Sequence, residues 1–507
     1  MRTPRLALVA GAALVAGLIA APTSAAAGLH TATDACIDSV PETDPLEPGP
    51  VQICYTVFKP ATASMDAKVP VVLHSHGWGG SRTRSVGSFQ GYLDAGMGVV
   101  SFDQRGFGGS GGKAHIEDPA FEGEDVINLV DEVASLDWVQ KNGRNDPVLG
   151  AIGGSYGGDY QFVGAFTELM KTGKTRFDAL APEITWYSLN ESLAPADVVR
   201  TTWVSALYAA GMDAHTSTVH AGYAEGAATG NWPAAMDEFF TDNGPKFHAD
   251  AGRRLNIPVL FGQGSTDNLF PLEQGLKNFQ NALTDKARSK SIFVGYNGGH
   301  VLPNALPAGY GTSGDACSAV VGAAAGVTSF SSLARQFLAE NLLGAEKALT
   351  GHGGYHLTTA DRDCVSVAST EPTQSFDAGT VVTTAAAGAP QAVKLADGPL
   401  TVAGTPYLDA AVTALGAETR AFFALSVGTS PADAKVVQNN VRPHREGLPV
   451  VGTQRTIELP SVAVDVPAGK SLFLTVSPVS DMFVGHGSRT PGAMVLDGAT
   501  VHVPVVG

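Results

Sequence analysis

The chain has 507 residues, of which 44% are hydrophobic and 16% charged, with a formal net charge of −16 and a pI of about 5.2. This composition is typical of a folded protein with two or three domains and excludes a disordered chain. The negative charge disfavours nucleic acid and anionic membranes as partners, because both need basic protein surfaces.

The N-terminal segment has the pattern of a secretory signal peptide. Arg2 and Arg5 precede an apolar run from Leu6 to Ala21, and Ala25-Ala26-Ala27 offers a small-residue cleavage site. The alternative is a membrane anchor, but the run is shorter than the roughly 20 residues that a span needs. We therefore predict that residues 1–27 are removed and that the protein is secreted, with no stable membrane insertion after cleavage.

The four cysteines are an even number in a chain predicted to reach an oxidising compartment, which favours disulfides over free thiols. Three pairings are possible, and proximity in sequence favours Cys36–Cys54 and Cys317–Cys364. The alternative is four buried free thiols. None of the cysteines has the C-x-x-C spacing of a zinc or redox site, so we predict no metal.

From Val51 to about Leu349, short β-rich runs alternate with helical patterns, which indicates a parallel sheet with crossover helices. The predicted strands lie in "VPVVLHSH", "MGVVSFDQRG", "PVLGAIGGS", "IPVLFGQGSTD" and "KSIFVGYNGGH". The predicted helices lie in "EDVINLVDEVASLDWVQKNG" and "FSSLARQFLAENLLGAEKAL". From about residue 183 to 255 the pattern is mostly helical, and we predict an inserted cap there, with ordinary packing helices as the alternative.

After Cys364 the composition changes to valine, threonine, alanine and glycine, in short alternating runs separated by turn residues. This pattern predicts an all-β sandwich over residues 365–507. Residues 28–364 then form the α/β domain, and no internal repeat of fixed period is present.

One serine stands where a nucleophile would be exposed. Gly153-Gly154-Ser155-Tyr156-Gly157 matches G-x-S-x-G, with a predicted strand before it and a helix after it. Ser110, in Gly108-Gly109-Ser110-Gly111-Gly112, matches too, and Gly106 to Gly111 fits a dinucleotide motif. Neither of these matches has the strand–turn–helix context that its chemistry requires, so we interpret Ser110 as a loop residue.

A serine nucleophile needs a histidine base and an acid that orients it, in the chain order Ser, Asp or Glu, His. Asp267 and His300 follow predicted strands in that order, at the sheet edge where Ser155 must also lie. Taken singly, each could be a turn-capping aspartate or a loop histidine. His352 and His356 are alternative bases, although no clear strand precedes them.

The oxyanion formed by such a nucleophile needs two N–H donors. The backbone N–H of Tyr156 follows the serine, and "HSHGWGG" offers the backbone N–H of Trp78 after an early strand. The alternative for the second segment is a simple tight turn.

Two stretches resemble the X-Pro dipeptidyl-peptidase and cocaine-esterase family of serine hydrolases. They are "DVINLVDEVASLDWVQKNGRNDPVLGAIGGSYGGDYQ" and "DQRGFGGSGG". The resemblance implies an α/β-hydrolase domain, a helical cap and a C-terminal jelly-roll sandwich bordering the active-site mouth. It also implies Ser155, Asp267 and His300 as the triad, with Asp103 and Arg105 as supports of a loop. Cocaine-esterase-like members have a tyrosine near the position of Trp78, and this difference favours the backbone N–H of Trp78 as the donor.

The sequence thus predicts a secreted serine hydrolase that cleaves an ester or amide of a small-molecule or peptide substrate, without metal or organic cofactor. One alternative is an X-Pro dipeptidyl-peptidase, which needs a carboxylate for the substrate's free amine; the candidates are Glu183, Glu191, Asp197 and Asp159. An esterase needs only an apolar pocket, which Trp186, Tyr187 and Trp203 could line. An alternative from another class is an inactive scaffold that binds a surface or carbohydrate.

Overall fold

The computed structural model describes residues 29–384, 388–488 and 493–507. The predicted signal peptide, residues 1–27, lies outside this range. Within the described residues, no helix combines the length and the apolar character that crossing a membrane requires.

The N-terminal two thirds of the chain are built on one ten-stranded sheet with the strand order β1-β2-β4-β3-β7-β8-β9-β10-β11-β12. The seven neighbouring strands β4, β3, β7, β8, β9, β10 and β11 run parallel to one another. Strands β1, β2 and β12 are antiparallel to their neighbours and form the two edges. Short strands β5 and β6 form a separate hairpin. The strands are β1 (Thr31–Glu42), β2 (Gly49–Lys59), β3 (Val71–Ser75), β4 (Gly98–Phe102), β5 (Lys141–Gly143), β6 (Asp146–Pro147), β7 (Leu149–Gly154), β8 (Ala179–Glu183), β9 (Leu260–Gly264), β10 (Ile292–Tyr296), β11 (Tyr355–Thr358) and β12 (Cys364–Val367).

Helices cover both faces of this sheet, so its central strands are buried on both sides. Val71 and Leu73 of β3 pack with the helices on one face, and Val72 packs on the other, as the alternation of side chains in a strand requires. The helices are α1 (Gln90–Asp94), α2 (Glu122–Ser135), α3 (Tyr156–Thr172), α4 (Leu189–Leu193), α5 (Thr201–Ala210), α6 (Ser217–Thr229), α7 (Ala234–Phe239), α8 (Pro245–Asp250), α9 (Leu272–Asn281), α10 (Asp285–Arg288), α11 (Ala316–Val321) and α12 (Phe330–Leu342).

The predicted helices are present but shorter than their sequence patterns. Helix α2 ends at Ser135, because Leu136 has extended backbone angles. Helix α12 ends at Leu342, two residues before Gly344, whose φ of +66° interrupts a right-handed helix. Helices α4 to α8 lie between β8 and β9, in the region predicted to lack strands. Residues of α4, α5 and α7 pack in one buried cluster with Tyr156, whereas α8 packs against α3 and α9.

The C-terminal residues form antiparallel sheets. One sheet has the order β13-β23-β16-β20, the second β14-β22-β17-β18 with β19 beside β17, and the third β21-β15-β24. Leu408 and Val501 of the first sheet share a buried core with Leu425 and Leu474 of the second. The strands are β13 (Gln374–Thr384), β14 (Gln391–Asp397), β15 (Leu400–Gly404), β16 (Tyr407–Ala414), β17 (Thr419–Gly428), β18 (Lys435–Val436), β19 (Arg442–Glu446), β20 (Val450–Glu458), β21 (Val462–Val466), β22 (Ser471–Ser477), β23 (Ala493–Val503) and β24 (Val505–Val506).

The structure contains the two disulfides that proximity favours. Cys36 and Cys54 lie directly opposite each other on β1 and β2. The second bridge joins Cys317, in α11, to Cys364, the first residue of β12. It therefore ties the segment that follows His300 to the last strand of the large sheet.

Replacing Cys317 and Cys364 together by alanine is expected to lower the free energy of unfolding by about 4 kcal/mol in the chain-entropy account. The cysteines are 47 positions apart, so the unfolded chain gains many conformations when the disulfide is absent. The measurement is the urea midpoint under non-reducing conditions, with the Cys36/Cys54 double alanine variant as the shorter-loop comparison. An unchanged midpoint, or a peptide map that joins Cys36 or Cys54 to Cys317, contradicts this expectation.

Candidate active site

Ser155 lies on the sharp turn between β7 and α3. Its φ of +60° is rare for a residue with a side chain, and the turn exposes its hydroxyl above the sheet edge. A Cβ atom on Gly153 would lie 2.1 Å from the carbonyl oxygen of Gly157, and one on Gly157 would lie 2.4 Å from the carbonyl oxygen of Ser75. Side chains are therefore excluded at both positions, which explains why glycines surround this serine.

His300 and Asp267 form a continuous hydrogen-bonded chain with Ser155. Nε2 of His300 lies 2.8 Å from Oγ of Ser155, and Nδ1 lies 2.7 Å from Oδ2 of Asp267. The backbone N–H of Leu269 and that of Phe270 donate to the other carboxylate oxygen of Asp267. This carboxylate is fully buried and hydrogen-bonded on both oxygens, so it can fix the orientation of the imidazole.

The protonation of His300 is set by two opposing effects. Burial lowers the pKa of the imidazole, but the charge of Asp267 and its hydrogen bond outweigh burial and raise the pKa above the usual value. The neutral imidazole is needed to accept a proton from Ser155. Activity that depends on it should therefore fall as the pH drops through this raised pKa.

Asn268 connects the loops that carry Asp267 and His300. Its backbone N–H donates to the carbonyl of His300 (2.9 Å), and its side-chain amide donates to the carbonyl of Leu302 (2.7 Å). The indole N–H of Trp203 donates to Oδ1 of Asn268 (2.9 Å), which links the cap to the same point.

Residues 438–440, which we name the amide turn, join the C-terminal sheets to these loops. The side-chain amides of the turn donate to Oδ1 of Asn297 (2.9 Å), to the carbonyl of Leu302 (2.7 Å) and to the carbonyl of Ser265 (3.1 Å). Gln438 and Asn439 have φ of +49° and +62°, a costly conformation that persists only where the surroundings enforce it. No local pattern singled out this turn or Asn268, because their partners are distant in sequence.

The two backbone N–H groups predicted as oxyanion donors belong to segments next to Ser155. Tyr156 is the first residue of α3, so its N–H has no partner inside the helix. A Cβ atom on Gly77, just before Trp78, would lie 3.7 Å from Cβ of Ser155, so this loop passes directly beside the serine. The indole N–H of Trp78 donates to the carbonyl of Leu207 in α5 (2.9 Å) and is engaged there.

A cavity of about 390 Å³ opens beside Ser155, between the sheet edge and cap helices α5 to α7. Val484, Gly485 and His486, from the C-terminal region, also line it. The aromatic lining residues are Trp78, Tyr156, Trp186, Tyr208, Tyr223, Trp232, Phe240 and Phe270. Within the described ranges, no aspartate, glutamate, lysine or arginine lines this cavity.

The three aromatic residues predicted for the pocket have different positions. Trp186 lines the cavity, whereas Tyr187 and Trp203 are absent from the described lining. Tyr187 is buried, and its backbone N–H donates to Oε1 of Gln274. Trp203 instead lies edge-on to the His300 ring, with 5.9 Å between ring centroids, because Asn268 holds its indole.

The alternative nucleophile and bases lie in structural networks. Ser110 donates to the carbonyl of Asp103 (2.7 Å) and accepts from the backbone N–H of Cys54 (2.9 Å). His356 bonds to Ser366 and to the carbonyl of Gly351. Burial lowers the pKa of His352, and no hydrogen bond joins it to Ser155 within the described chain.

Asp103 and Arg105 have the supporting contacts that the resemblance implies. Asp103 accepts hydrogen bonds from Arg82 and from the backbone N–H of Gly109. Arg105 donates twice to the buried carboxylate of Asp125 and once to the carbonyl of Val40.

The candidate carboxylates for an amine are all engaged or buried away from the cavity. Glu183 accepts a hydrogen bond from the hydroxyl of Tyr296 (2.6 Å). Two others form ion pairs, Glu191 with Lys277 (2.7 Å) and Asp197 with Arg445 (3.2 Å). Asp159 is fully buried, and burial raises the pKa of its carboxyl well above the usual value. In the described residues no group of three or more histidine, cysteine, aspartate or glutamate side chains is arranged for a metal ion.

The fold is that of an α/β-hydrolase with an added C-terminal β region. Its sheet is mostly parallel, helices cover both faces, and a serine lies on the β7–α3 turn. Residues 49–301, about half of the chain, match the family described as X-Pro dipeptidyl-peptidase (S15 family). The chain belongs to this family of serine hydrolases. No curated protein matches the sequence.

Solved structures share the fold over nearly the whole chain. A CocE/NonD family hydrolase from Staphylococcus aureus has a TM-score of 0.62 at 12% identity, covering 95% of this chain and 97% of that one. An α-amino acid ester hydrolase has a TM-score of 0.60 at 12% identity, with 98% and 100% covered. An aminopeptidase from the marine sediment archaeon Thaumarchaeota archaeon has a TM-score of 0.61 at 14% identity, with 94% and 96% covered.

Proposed function

We propose that this chain is a secreted serine hydrolase that cleaves an ester or simple amide through an acyl-enzyme formed on Ser155. The observation that carries the proposal is the hydrogen-bonded chain from Asp267 through His300 to Ser155 on a strained turn. Residues 1–27 serve as the signal peptide, 28–364 form the catalytic domain with a cap over about 183–255, and 365–507 form the β-sandwich domain. The two disulfides support export, because such bonds persist in oxidising compartments.

The proposed reaction has two halves. Oγ of Ser155 attacks the substrate carbonyl while Nε2 of His300 takes its proton, and the N–H groups of Tyr156 and Trp78 stabilise the oxyanion. His300 then gives the proton to the leaving alcohol or amine as its bond to the carbonyl carbon breaks. Water attacks the acyl-enzyme with His300 again as base, and the carboxylic acid and free serine are regenerated.

The X-Pro dipeptidyl-peptidase alternative follows from the family's name. A buried ammonium group needs a charged partner, because leaving it unpaired in an apolar site is costly. Three of the candidate carboxylates are engaged by other side chains and Asp159 is fully buried, and none of the four lines the described cavity. This supports an uncharged acyl group over an aminoacyl group.

We expect kcat/KM for a short-chain ester to exceed that for a Gly-Pro anilide with a free amine. The matched comparison is between the Gly-Pro anilide and its N-acetyl form, which differ only in the ammonium charge. Without an amine-binding carboxylate, acetylation should leave kcat/KM unchanged or raise it. A preference for the free-amine anilide over the ester by more than about tenfold, near 1.4 kcal/mol of transition-state binding, supports the peptidase.

The inactive-scaffold alternative is tested with a fluorophosphonate probe, which reacts with an activated serine. We expect rapid labelling of Ser155. An unlabelled protein that binds a polysaccharide would favour the binding function.

A further inference from the structure

The cavity beside Ser155 lies on one particular side of the proposed reaction centre. Ser155, Tyr156 and Trp78 line it, whereas His300 is outside its described lining. His300 must protonate the leaving group, so the leaving group has to lie against the imidazole. The carbonyl oxygen points at the two N–H groups. The remaining substituent of the carbonyl carbon, which is the acyl chain, is therefore the part that enters the cavity.

The cavity is long as well as large. On α6 it is lined by Val219, Gly222, Tyr223, Gly226 and Ala227, which form one face of the helix. Eight residues of α-helix rise about 12 Å, so the cavity follows this helix for about that length. An acetyl group would fill only the end next to Ser155, and a short chain would leave most of the space unused.

The two glycines of α6 differ in the space beside them, because a Cβ atom on Gly222 would lie 2.5 Å from the side chain of Met236, whereas the space beside Gly226 is open. Gly222 and Gly226 lie one helical turn apart inside α6, where glycine is disfavoured relative to alanine. A Cβ atom on Gly226 would have its nearest neighbour 3.5 Å away, which is ordinary contact, so packing of the protein itself does not demand glycine there. The missing side chain leaves room for a ligand.

The lining also restricts the chemistry of that ligand. Its residues are aliphatic and aromatic side chains, a few uncharged polar groups and two histidines, His215 and His486. The ring of His215 lies next to that of Trp78. Burial lowers the pKa of His215, which keeps this ring neutral at neutral pH. A charged group in the acyl chain would find no aspartate, glutamate, lysine or arginine in the described lining.

We propose that the cavity binds an extended, uncharged alkyl chain on the acyl side of the substrate, so that the protein prefers esters of medium-chain carboxylic acids over acetate esters. This inference rests on the proposed function. It adds the size, the charge and the orientation of the substrate, with Gly226 as a residue that determines the accepted length.

The test is a series of 4-nitrophenyl esters from acetate through butyrate and hexanoate to octanoate, each below the concentration at which it aggregates. The leaving group is constant, so differences report the acyl chain. We expect kcat/KM to rise with each added methylene, by up to about fourfold, which corresponds to about 0.8 kcal/mol per buried methylene. A flat or falling series from acetate to octanoate overturns the inference.

Gly226→Leu is expected to lower the octanoate-to-acetate ratio of kcat/KM by about tenfold or more, since a filled pocket rejects added methylenes. The ratio compares two esters on the same variant, so it separates the effect on the acyl chain from any change in the overall rate. Ala228→Leu is the control on the same helix, because Ala228 is exposed and outside the described lining. An unchanged octanoate-to-acetate ratio in Gly226→Leu also overturns the inference.

The two proposals fail in different ways. A protein that hydrolyses acetate best is still a serine hydrolase, and only the chain-length inference is lost. A protein that hydrolyses none of the esters and resists the fluorophosphonate probe contradicts the proposed function itself. If Gly226→Leu does not fold, the ester series on the wild-type protein alone tests the chain-length inference.

Discussion

Replacing Ser155 with alanine is expected to lower kcat for ester hydrolysis by roughly four to six orders of magnitude, the range seen when a nucleophile that acts with a base and an acid is removed. The hydroxyl is the only group placed to form the acyl-enzyme next to Nε2 of His300 in the described structure. The fold should be retained, because alanine accepts the same turn and the hydroxyl does not support the core. Burst kinetics and covalent labelling, followed by mass spectrometry, give the measurement.

Ser110→Ala is the matched control, because Ser110 lies in the second G-x-S-x-G sequence. Its hydroxyl bonds Cys54 and Asp103, so the expected loss is about 1 kcal/mol of stability per hydrogen bond and not a loss of labelling. An acyl-enzyme on the Ser155→Ala protein, or its loss in Ser110→Ala, would show that the nucleophile has been misassigned.

Asp267→Asn is expected to reduce kcat by about 10⁴-fold, because asparagine does not hold the imidazole in the tautomer that accepts a proton from serine. It should also move the acid limb of the pH profile. The charge and hydrogen bond of Asp267 raise the pKa of His300, so wild-type activity is lost as the pH falls through that raised pKa. Without the carboxylate, burial alone lowers the pKa, and the acid limb should shift to lower pH.

The pH profile of kcat/KM on a single ester, at constant ionic strength, measures both effects. Asp285→Asn is the control, since Asp285 is exposed on α10 and pairs only with Arg288 nearby. An acid limb that stays in place in Asp267→Asn would mean that another group sets the protonation of His300.

Local signals in the sequence predicted much of the site. The glycines and Ser155 form one contiguous pattern in the sequence, and Asp267 and His300 follow strands whose apolar runs are clear. Parallel strands bring their carboxyl ends to one edge, so three separate segments could be placed together without knowing any contact. The disulfide pairings also followed from proximity along the chain.

The remaining features depend on contacts that no local pattern encodes. The sequence predicted that Tyr187 and Trp203 could line the pocket, but neither is in the described lining, and the indole of Trp203 donates instead to Asn268, 65 positions away in sequence. The antiparallel strand β1 has few buried residues and does not stand out as a strand pattern. In the sequence, the amide turn is three polar residues in a predicted loop. Its contacts with the loops around His300 are visible only in the structure.

The amide turn also affects when the protein becomes active during its synthesis. Asn439 is made 137 positions after Leu302, whose carbonyl it binds beside His300. A nascent chain that has already produced Ser155, Asp267 and His300 still lacks the donors of Asn439 and Asn440, and the carbonyl of Leu302 then accepts from Asn268 alone among these side-chain amides. Translation of the C-terminal strands therefore completes the support of the site, and hydrolysis should begin only when the whole chain has been released and folded.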